Sequence, residues 1–123
     1  MPDPLPLRYV VLRHEGIPDP HFDLMFETSP GSALATWRVA VWPITEIHTD
    51  AVALPDHRRE YLDYEGPVSN NRGTVRRIAA GSHTVHSDHP VLLIVVLESG
   101  DVLRLFRGKG AGIQLLRAIK KAT

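Results

Sequence analysis

Residues 21–27, with the sequence HFDLMFE, decide the fold class. Apolar Phe22, Leu24 and Phe26 alternate with positions that include His21 and Asp23. Successive side chains of a β-strand point to opposite faces of the sheet, so this alternation predicts a strand. One of its faces packs on a hydrophobic core, and the other presents an imidazole and a carboxylate side by side.

The rest of the chain repeats this arrangement of short apolar runs between turn residues. β-Branched and aromatic residues predict strands over 8–12, 34–42, 74–80, 90–98 and 102–106, and a shorter strand with a loop over 45–56. Glycine, proline, serine and asparagine predict loops or turns at 15–20, 29–32, 66–73 and 99–100, and Gly81 is expected to end the strand before it. Many short strands with turns between them are typical of an all-β barrel or sandwich.

Two segments are expected to depart from the strand pattern. Residues 58–64 favour a helical turn or an irregular connection. Residues 113–121 have apolar side chains at 113, 115, 116 and 119, which predicts a short amphipathic helix at the C-terminus. Histidines 83, 86 and 89 are expected in a polar turn, where a metal role is not favoured.

Composition and charge indicate one ordinary globular domain. The chain has 123 residues, of which 43% are hydrophobic and 23% charged, and residues 1–7 are expected to form a flexible arm before a single domain over 8–123. Cysteine is absent, and the sequence shows neither a secretory signal nor a membrane-spanning run, so a cytoplasmic protein is expected. Fourteen basic and fourteen acidic residues argue against a protein that coats DNA, but not against one that grips a few phosphates at an end.

The strongest chemical signal is His14 followed by His21 and Asp23. His21 and Asp23 are two positions apart and share a strand face, and the proline-containing loop before them can fold His14 back beside them. Two imidazoles and a carboxylate suit a divalent metal such as Mn²⁺ or Zn²⁺. The alternative is that all three are surface residues of a partly solvated strand.

A second cluster occupies residues 55–66, PDHRREYLDYEG. It combines His57, two arginines and two tyrosines, including Arg58 and Tyr61. Arginine forks match phosphate geometry, and tyrosine hydroxyl groups can add hydrogen bonds. The alternative is an exposed loop with ion pairs worth ~0–1 kcal/mol each.

Taken together, the runs RYVVLRH, HFDLMFE, LATWRVAV, DHRREYLDYEG and RGTV resemble the 3′-phosphoesterase domain of bacterial DNA ligase D and its stand-alone relatives. The resemblance extends from about residue 8 to residue 81. It implies a compact antiparallel β-barrel with a metal, typically Mn²⁺, held by His14, Asp23 and His57. It also implies an essential non-ligand histidine at His21 and an active-site tyrosine at Tyr61.

The activity that the resemblance implies is removal of a 3′-phosphate or a 3′-terminal ribonucleotide from a DNA or RNA/DNA end, leaving a 3′-OH. DNA ligases and polymerases of repair are then candidate partners. The chain departs from the family pattern because Met25 stands where a phosphate-binding arginine is usual, a lysine after the tryptophan is missing, and the loop after Glu65-Gly66 is short. Three arginines are candidates to supply the missing charge: Arg38, Arg58 and Arg72.

Two other functions stay open on the sequence. The first is a catalytically weakened module that keeps the metal and binds nucleic-acid ends or a repair partner. The second is a β-domain with a different small ligand in its mouth, in which the three candidate ligands serve only stability.

Overall fold

The computed structural model describes residues 6–118, and these form one all-β unit. In chain order, its ten strands and one short helix are β1 Leu7–Glu15, β2 His21–Glu27, β3 Leu34–Val39, β4 His48–Asp50, β5 Val52–His57, a 3₁₀ helix Arg59–Leu62, β6 Gly66–Pro67, β7 Thr74–His89, β8 Leu92–Leu97, β9 Val102–Phe106 and β10 Gly112–Leu116. Every pairing is antiparallel. β1 begins at Leu7, inside the expected arm 1–7, of which residues 1–5 lie outside the described part.

The strands form a single sheet in the order β4-β10-β9-β8-β7-β1-β2-β3-β5, with β6 attached to β7. The sheet curls, because residues from both of its halves pack into one core. Trp37 of β3 and Phe26 of β2 lie in the same buried cluster as Leu105 of β9 and Ile113 of β10. The indole Nε1 of Trp37 donates to the carbonyl of Phe106 at 2.9 Å, which ties the two halves together.

The expected closed barrel is not formed. β4 and β5 are the two ends of the sheet, and neither pairs with the other within residues 6–118. They are consecutive in the chain and are joined through Ala51, so the sheet edges are linked by the backbone rather than by a hydrogen-bond ladder. A barrel requires continuous pairing round the ring. The correct description is a curled open sheet around a core.

The strand after the 66–73 turn is longer than expected. Gly81 does not end it, and β7 continues to His89 as the element that pairs with both β1 and β8. A Cβ at position 81 would lie 2.9 Å from the Tyr9 hydroxyl and closer still to a Glu98 carboxylate oxygen. Glycine at this position therefore allows close packing of these two side chains and does not mark a turn. The three histidines 83, 86 and 89 consequently lie in a strand rather than in a polar turn.

The expected C-terminal helix is also wrong over the residues described. Residues 112–116 form β10, in which Ile113 and Leu115 are buried and Leu116 is exposed. The alternation of period two outweighs the helical spacing because β10 finds partners in β4 and β9. Residues 119–121 of the expected helix lie outside the described part. Within residues 6–118, no helix has the length and apolar character that a membrane crossing needs.

A second, smaller core lies on the other face of the sheet. Leu12 of β1, Met25 of β2 and Val75 of β7 pack there with Leu62 of the 3₁₀ helix. Segment 58–73 therefore covers this face, and Tyr61 and Val68 pack against it. His21 and Asp23 share the face of β2 that carries Met25, so the candidate ligands lie beside this smaller core.

His83 is a buried imidazole in the larger core. Its ring lies against Tyr9 and Phe26, and Nε2 donates to the carbonyl of Glu27 at 2.8 Å. Since a carbonyl only accepts, the proton is on Nε2 and Nδ1 is unprotonated. Burial lowers the pKa of His83 below its usual value, and outweighs the Glu27 carbonyl and carboxylate, which raise it.

We expect His83 to make the protein less stable in acid. The unfolded chain binds a proton on this residue near its ordinary pKa of 6.5, whereas the folded protein resists it. The free energy of unfolding therefore falls as the pH drops from 6.5 towards the lower, folded-state pKa. Urea unfolding of wild type and His83→Leu in EDTA, above and below that pH, measures the contribution. If the free energy of unfolding changed with pH equally in wild type and His83→Leu, the assignment would be contradicted, because the two proteins share all other histidines.

Candidate metal centre

The hairpin of β1 and β2 brings the three candidate ligands together. In its register His14 lies opposite His21, and Leu12 lies opposite Asp23. The loop between the strands contains Gly16, whose φ of +75° is a left-handed conformation that glycine adopts without strain. The expectation that this loop folds His14 back beside His21 and Asp23 is confirmed.

The three side chains form a compact donor set. One ligand atom from each of His14, His21 and Asp23 lies within 4.8 Å of the others. The two imidazole rings meet edge to face, with centroids 4.9 Å apart. His21 and Asp23 are only 5% and 3% exposed, whereas His14 is half-buried and faces the opening. The cluster is therefore a shallow site with two buried walls and one accessible side.

The tautomer of His21 is fixed by its backbone partner. Its Nδ1 lies 2.8 Å from the carbonyl of Asp19, so Nδ1 carries the proton. In the neutral ring Nε2 is then a bare lone pair, and this buried atom has no hydrogen-bond partner in residues 6–118. It lies 3.5 Å from Asp23 Oδ2, an acceptor. In that form two buried acceptors lie side by side, an arrangement that a cation would stabilise.

His14 is oriented in the same way by a carbonyl. Its Nε2 lies 2.5 Å from the oxygen of Arg72, so Nε2 donates and Nδ1 keeps its lone pair. Arg72 belongs to the tight hairpin turn between β6 and β7, in which Asn70 and Asn71 have φ of +64° and +56°. Imidazole ligands in metal sites commonly donate their second nitrogen to a carbonyl in this way.

Arg38 completes the electrostatics of the cluster. It lies opposite Asp23 in the β2–β3 register, and its Nε donates to Asp23 Oδ1 at 3.2 Å. Its remaining guanidinium nitrogens have no hydrogen bond within the described chain, and the side chain is 37% exposed. A half-exposed cation therefore borders the donor set.

These residues fit a divalent metal. The set offers two imidazole nitrogens and one carboxylate, both imidazoles are held by backbone carbonyls, and the buried Nε2 of His21 lacks another partner within residues 6–118. Three protein ligands also leave coordination positions for water or substrate. Nitrogen and oxygen donors of this kind suit Zn²⁺ or Mn²⁺.

The structure does not bring His57 to this cluster. His57 lies opposite Leu34, which in turn lies opposite Glu27 at the other end of β2. Glu27 is four positions along the strand from Asp23, which is about 13 Å at ~3.3 Å per residue. The His57 ring instead lies near Tyr61, at 5.9 Å between centroids, and its Nδ1 lies 2.9 Å from the carbonyl of Pro55.

The other predicted phosphate contacts are also dispersed. Arg58 is 81% exposed and has only a loose ion pair with Glu60 at 3.9 Å. The Arg72 side chain folds onto its own turn and donates to the carbonyl and hydroxyl oxygens of Ser69. Of the three candidate arginines, Arg38 alone contacts a member of the donor set through its guanidinium group, since Arg72 reaches His14 only through its backbone carbonyl.

An ion pair between buried Glu27 and partly exposed Arg59 holds segment 58–65 against the sheet. Glu27 is 5% exposed, its Oε2 accepts a very short hydrogen bond from Arg59, and its Oε1 accepts from the Arg8 backbone N–H at 2.7 Å. Burial raises the pKa of Glu27, but the hydrogen bonds from Arg59 and Arg8 outweigh it and lower the pKa below its usual value. The carboxylate stays ionised and holds Arg59, two residues before Tyr61.

The strand pattern and the resemblance give different roles to His21: the pattern groups it with His14 and Asp23 as a ligand, whereas the resemblance implies a non-ligand. Its buried Nε2, without a hydrogen-bond partner in residues 6–118, favours the ligand role. One feature of the site is not predicted from the sequence. The carbonyl of Arg72 as the partner of His14 has no sequence signal, because it depends on the fold of a turn 58 residues away.

No family model matches the chain, and no curated protein matches it. The likeness to the ligase D phosphoesterase domain accordingly remains an expectation from the motifs themselves. The residues that form the donor set are assigned from geometry alone.

We expect one divalent ion per chain, held by His14, His21 and Asp23. Alanine at any of these positions should weaken Mn²⁺ or Zn²⁺ binding by more than the roughly 10–100-fold that loss of an outer-shell partner causes. His57→Ala should bind as wild type does, since His57 lies outside the cluster. Titration calorimetry with metal-free protein measures this. Equal losses for His57→Ala and His21→Ala would contradict the proposed ligand set.

Gly73 offers a separate test of the Arg72 turn. A Cβ there would overlap the Glu15 carbonyl oxygen, and φ is +77°. Gly73→Ala should therefore shift the turn, weaken the His14–Arg72 hydrogen bond and lower metal affinity. Gly31→Ala is the matched control, because its φ is +79° with no atom within 4 Å. Both variants should lose about 1–2 kcal/mol of stability to backbone strain, but only Gly73→Ala should lose metal. Unchanged metal binding in Gly73→Ala would show that the turn does not position His14.

Proposed function

We propose that the chain is a metal-dependent phosphoesterase that removes a 3′-phosphate or a 3′-terminal ribonucleotide from nucleic-acid ends. The observation that carries the proposal is the convergence of His14, His21 and Asp23 around the unpartnered Nε2 of His21, with Arg38 beside them, within residues 6–118. The sequence resemblance to the ligase D phosphoesterase domain supports the choice of substrate. Mn²⁺ is the proposed metal, and Zn²⁺ is the alternative.

The arrangement of charges supports a phosphate substrate. A divalent metal, when bound, supplies positive charge to phosphate oxygens and activates water for attack. Arg38 has guanidinium nitrogens without a partner in residues 6–118 while its Nε holds Asp23, so it can bind a phosphate oxygen on the exposed side of the cluster. In this proposal Arg38 of β3 takes the place of the family arginine. The family position itself is occupied by Met25, which is buried in the smaller core.

The remaining residues orient rather than react. The carbonyls of Asp19 and Arg72 each hold one imidazole, and the second nitrogen of each ring is left for the metal in this proposal. His21 therefore acts as a ligand in this proposal and not as the essential non-ligand histidine that the resemblance implies. Tyr61 stays on the covering segment, where it lies near His57.

The alternative is a module that binds nucleic-acid ends through the same metal without turnover. The specific observation in its favour is the dispersal of the other candidate phosphate contacts, since Arg58 is solvated and Arg72 is engaged with Ser69. It shares the donor set and Arg38 with the enzyme. Turnover is the measurement that separates the two.

We expect Mn²⁺-dependent conversion of primers with a 3′-phosphate or 3′-ribonucleotide to a 3′-OH, and no conversion in EDTA. His14→Ala, His21→Ala and Asp23→Ala should abolish it. Arg38→Gln should lower kcat/KM by about 30-fold or more, because a lost charged contact costs ~2–5 kcal/mol and each 1.4 kcal/mol is ten-fold. Arg104→Gln on β9 is the control, because it removes an arginine that pairs with Gln114 away from the cluster.

Electrophoresis of end-labelled primers gives the product, and metal content is measured on the same preparations. Full activity in EDTA would rule out the metal role. One bound ion with no product from any blocked end would instead support the non-catalytic module. If none of the variants differed from wild type in metal binding, the remaining candidate would be a plain β-domain in which the three residues serve only stability.

A further inference from the structure

A cleft of about 260 Å³ lies between the 3₁₀ helix and the β6–β7 turn. It is lined by Arg58, Glu60, Tyr61, Tyr64, Pro67, Val68 and Ser69. None of these residues belongs to the metal donor set. The volume is below the roughly 300–1,000 Å³ of sites for drug-sized ligands, so the cleft suits a single ring system with part of its substituent.

The walls of the cleft are those of a site for a flat aromatic ligand. The rings of Tyr61 and Tyr64 meet edge to face, with centroids 6.1 Å apart, and Pro67 and Val68 add apolar surface. Tyr64 is fixed by a very short hydrogen bond from its hydroxyl to the Pro67 carbonyl, yet 39% of the residue is exposed. A rigid and accessible aromatic side chain is suited to stacking.

The charges of the cleft favour a neutral ring over a phosphate. Arg58 and Glu60 both line it, and their side chains form a pair at 3.9 Å, so the local charge is balanced. A carboxylate in the wall repels phosphate but accepts a hydrogen bond from an exocyclic amino group of a base. Ser69 adds a hydroxyl that can donate or accept.

The cleft is joined to the metal cluster through the backbone. Gly66 and His14 both lie opposite Val75 of β7, one on each side. The neighbouring wall residue Pro67 is therefore about 10 Å from β1, two strand spacings of ~4.8 Å. Ser69 accepts hydrogen bonds from Arg72, whose carbonyl accepts from His14. One turn thus forms both the wall of the cleft and the support of a metal ligand.

We propose that this cleft binds the base of the terminal nucleotide of a nucleic-acid end whose phosphate lies at the His14–His21–Asp23 cluster. The location of the phosphate in this inference rests on the proposed function. It adds a subsite for the base, with Tyr64 as the stacking surface and Glu60 as an acceptor for amino groups. The subsite selects ends that carry an intact base over abasic ends.

The test measures binding without turnover. Fluorescence anisotropy in Mn²⁺ compares primer-templates that end in a non-hydrolysable 3′-phosphonate and whose last nucleotide has a base or is abasic. Wild type should bind the intact end about ten-fold more tightly, the order expected for one stacked base. Tyr64→Leu should lose this preference, and Tyr64→Phe should keep it because the ring remains. Arg104→Gln should behave as wild type does.

Each outcome bears on the cleft separately from the enzyme. An equal affinity of wild type for both ends, or no measurable binding of the intact end, would overturn the base subsite. A loss of affinity for both ends alike in Tyr64→Leu would indicate a structural effect and would also overturn it. If the protein showed a base preference that depends on Tyr64 but converted no blocked end, the subsite would be supported and the phosphoesterase function would be contradicted.

Discussion

The antiparallel ladder between β1 and β2 is the constraint on which the site depends. It sets His14 opposite His21 and, in the same register, directs Phe22, Leu24 and Phe26 towards the larger core. A slip by one residue would exchange the two faces of β2 and would place His21 and Asp23 in apolar surroundings. The burial of the aromatic and aliphatic side chains therefore fixes the position of the polar ones. Fold stability and ligand geometry are consequences of the same pairing.

Segment 58–73 gives the site its second wall, and it is held by polar contacts as well as by packing. Leu62 lies in the smaller core, Glu27 binds Arg59, and the Arg72 carbonyl binds His14. Arg8 adds an ion pair to Asp63 at 2.7 Å, but both side chains are largely exposed and such a pair contributes little. The buried contact at Glu27 is the stronger anchor, because removing one partner would leave an unpaired charge in the interior.

The features that could be predicted from the sequence are those that depend on neighbouring residues. The strand 21–27 has the predicted bounds, and the turn at 99–100 joins two strands as expected, because alternation and turn chemistry are local. Features set by distant partners could not be predicted in this way. β10 is a strand because β4 and β9 flank it, Gly81 packs closely against the Tyr9 side chain, and His57 is removed from the cluster by its register with Leu34. None of these partners is visible in a window of sequence.

Arg38 illustrates how a sheet can keep a charge pattern while its sequence motif changes. In the motif that the chain resembles, the phosphate-binding arginine follows the aspartate on the same strand, but in this chain that position is Met25, which packs in the smaller core. Directly opposite residues of neighbouring strands have Cβ atoms about 4.5–5.5 Å apart, closer than the roughly 6.6 Å between alternate residues of one strand. An arginine opposite Asp23 is therefore at least as near to the carboxylate as one at position 25 would be. The net charge of the chain is zero, so the proposed attraction for a phosphate is local and comes from this single placement together with the metal.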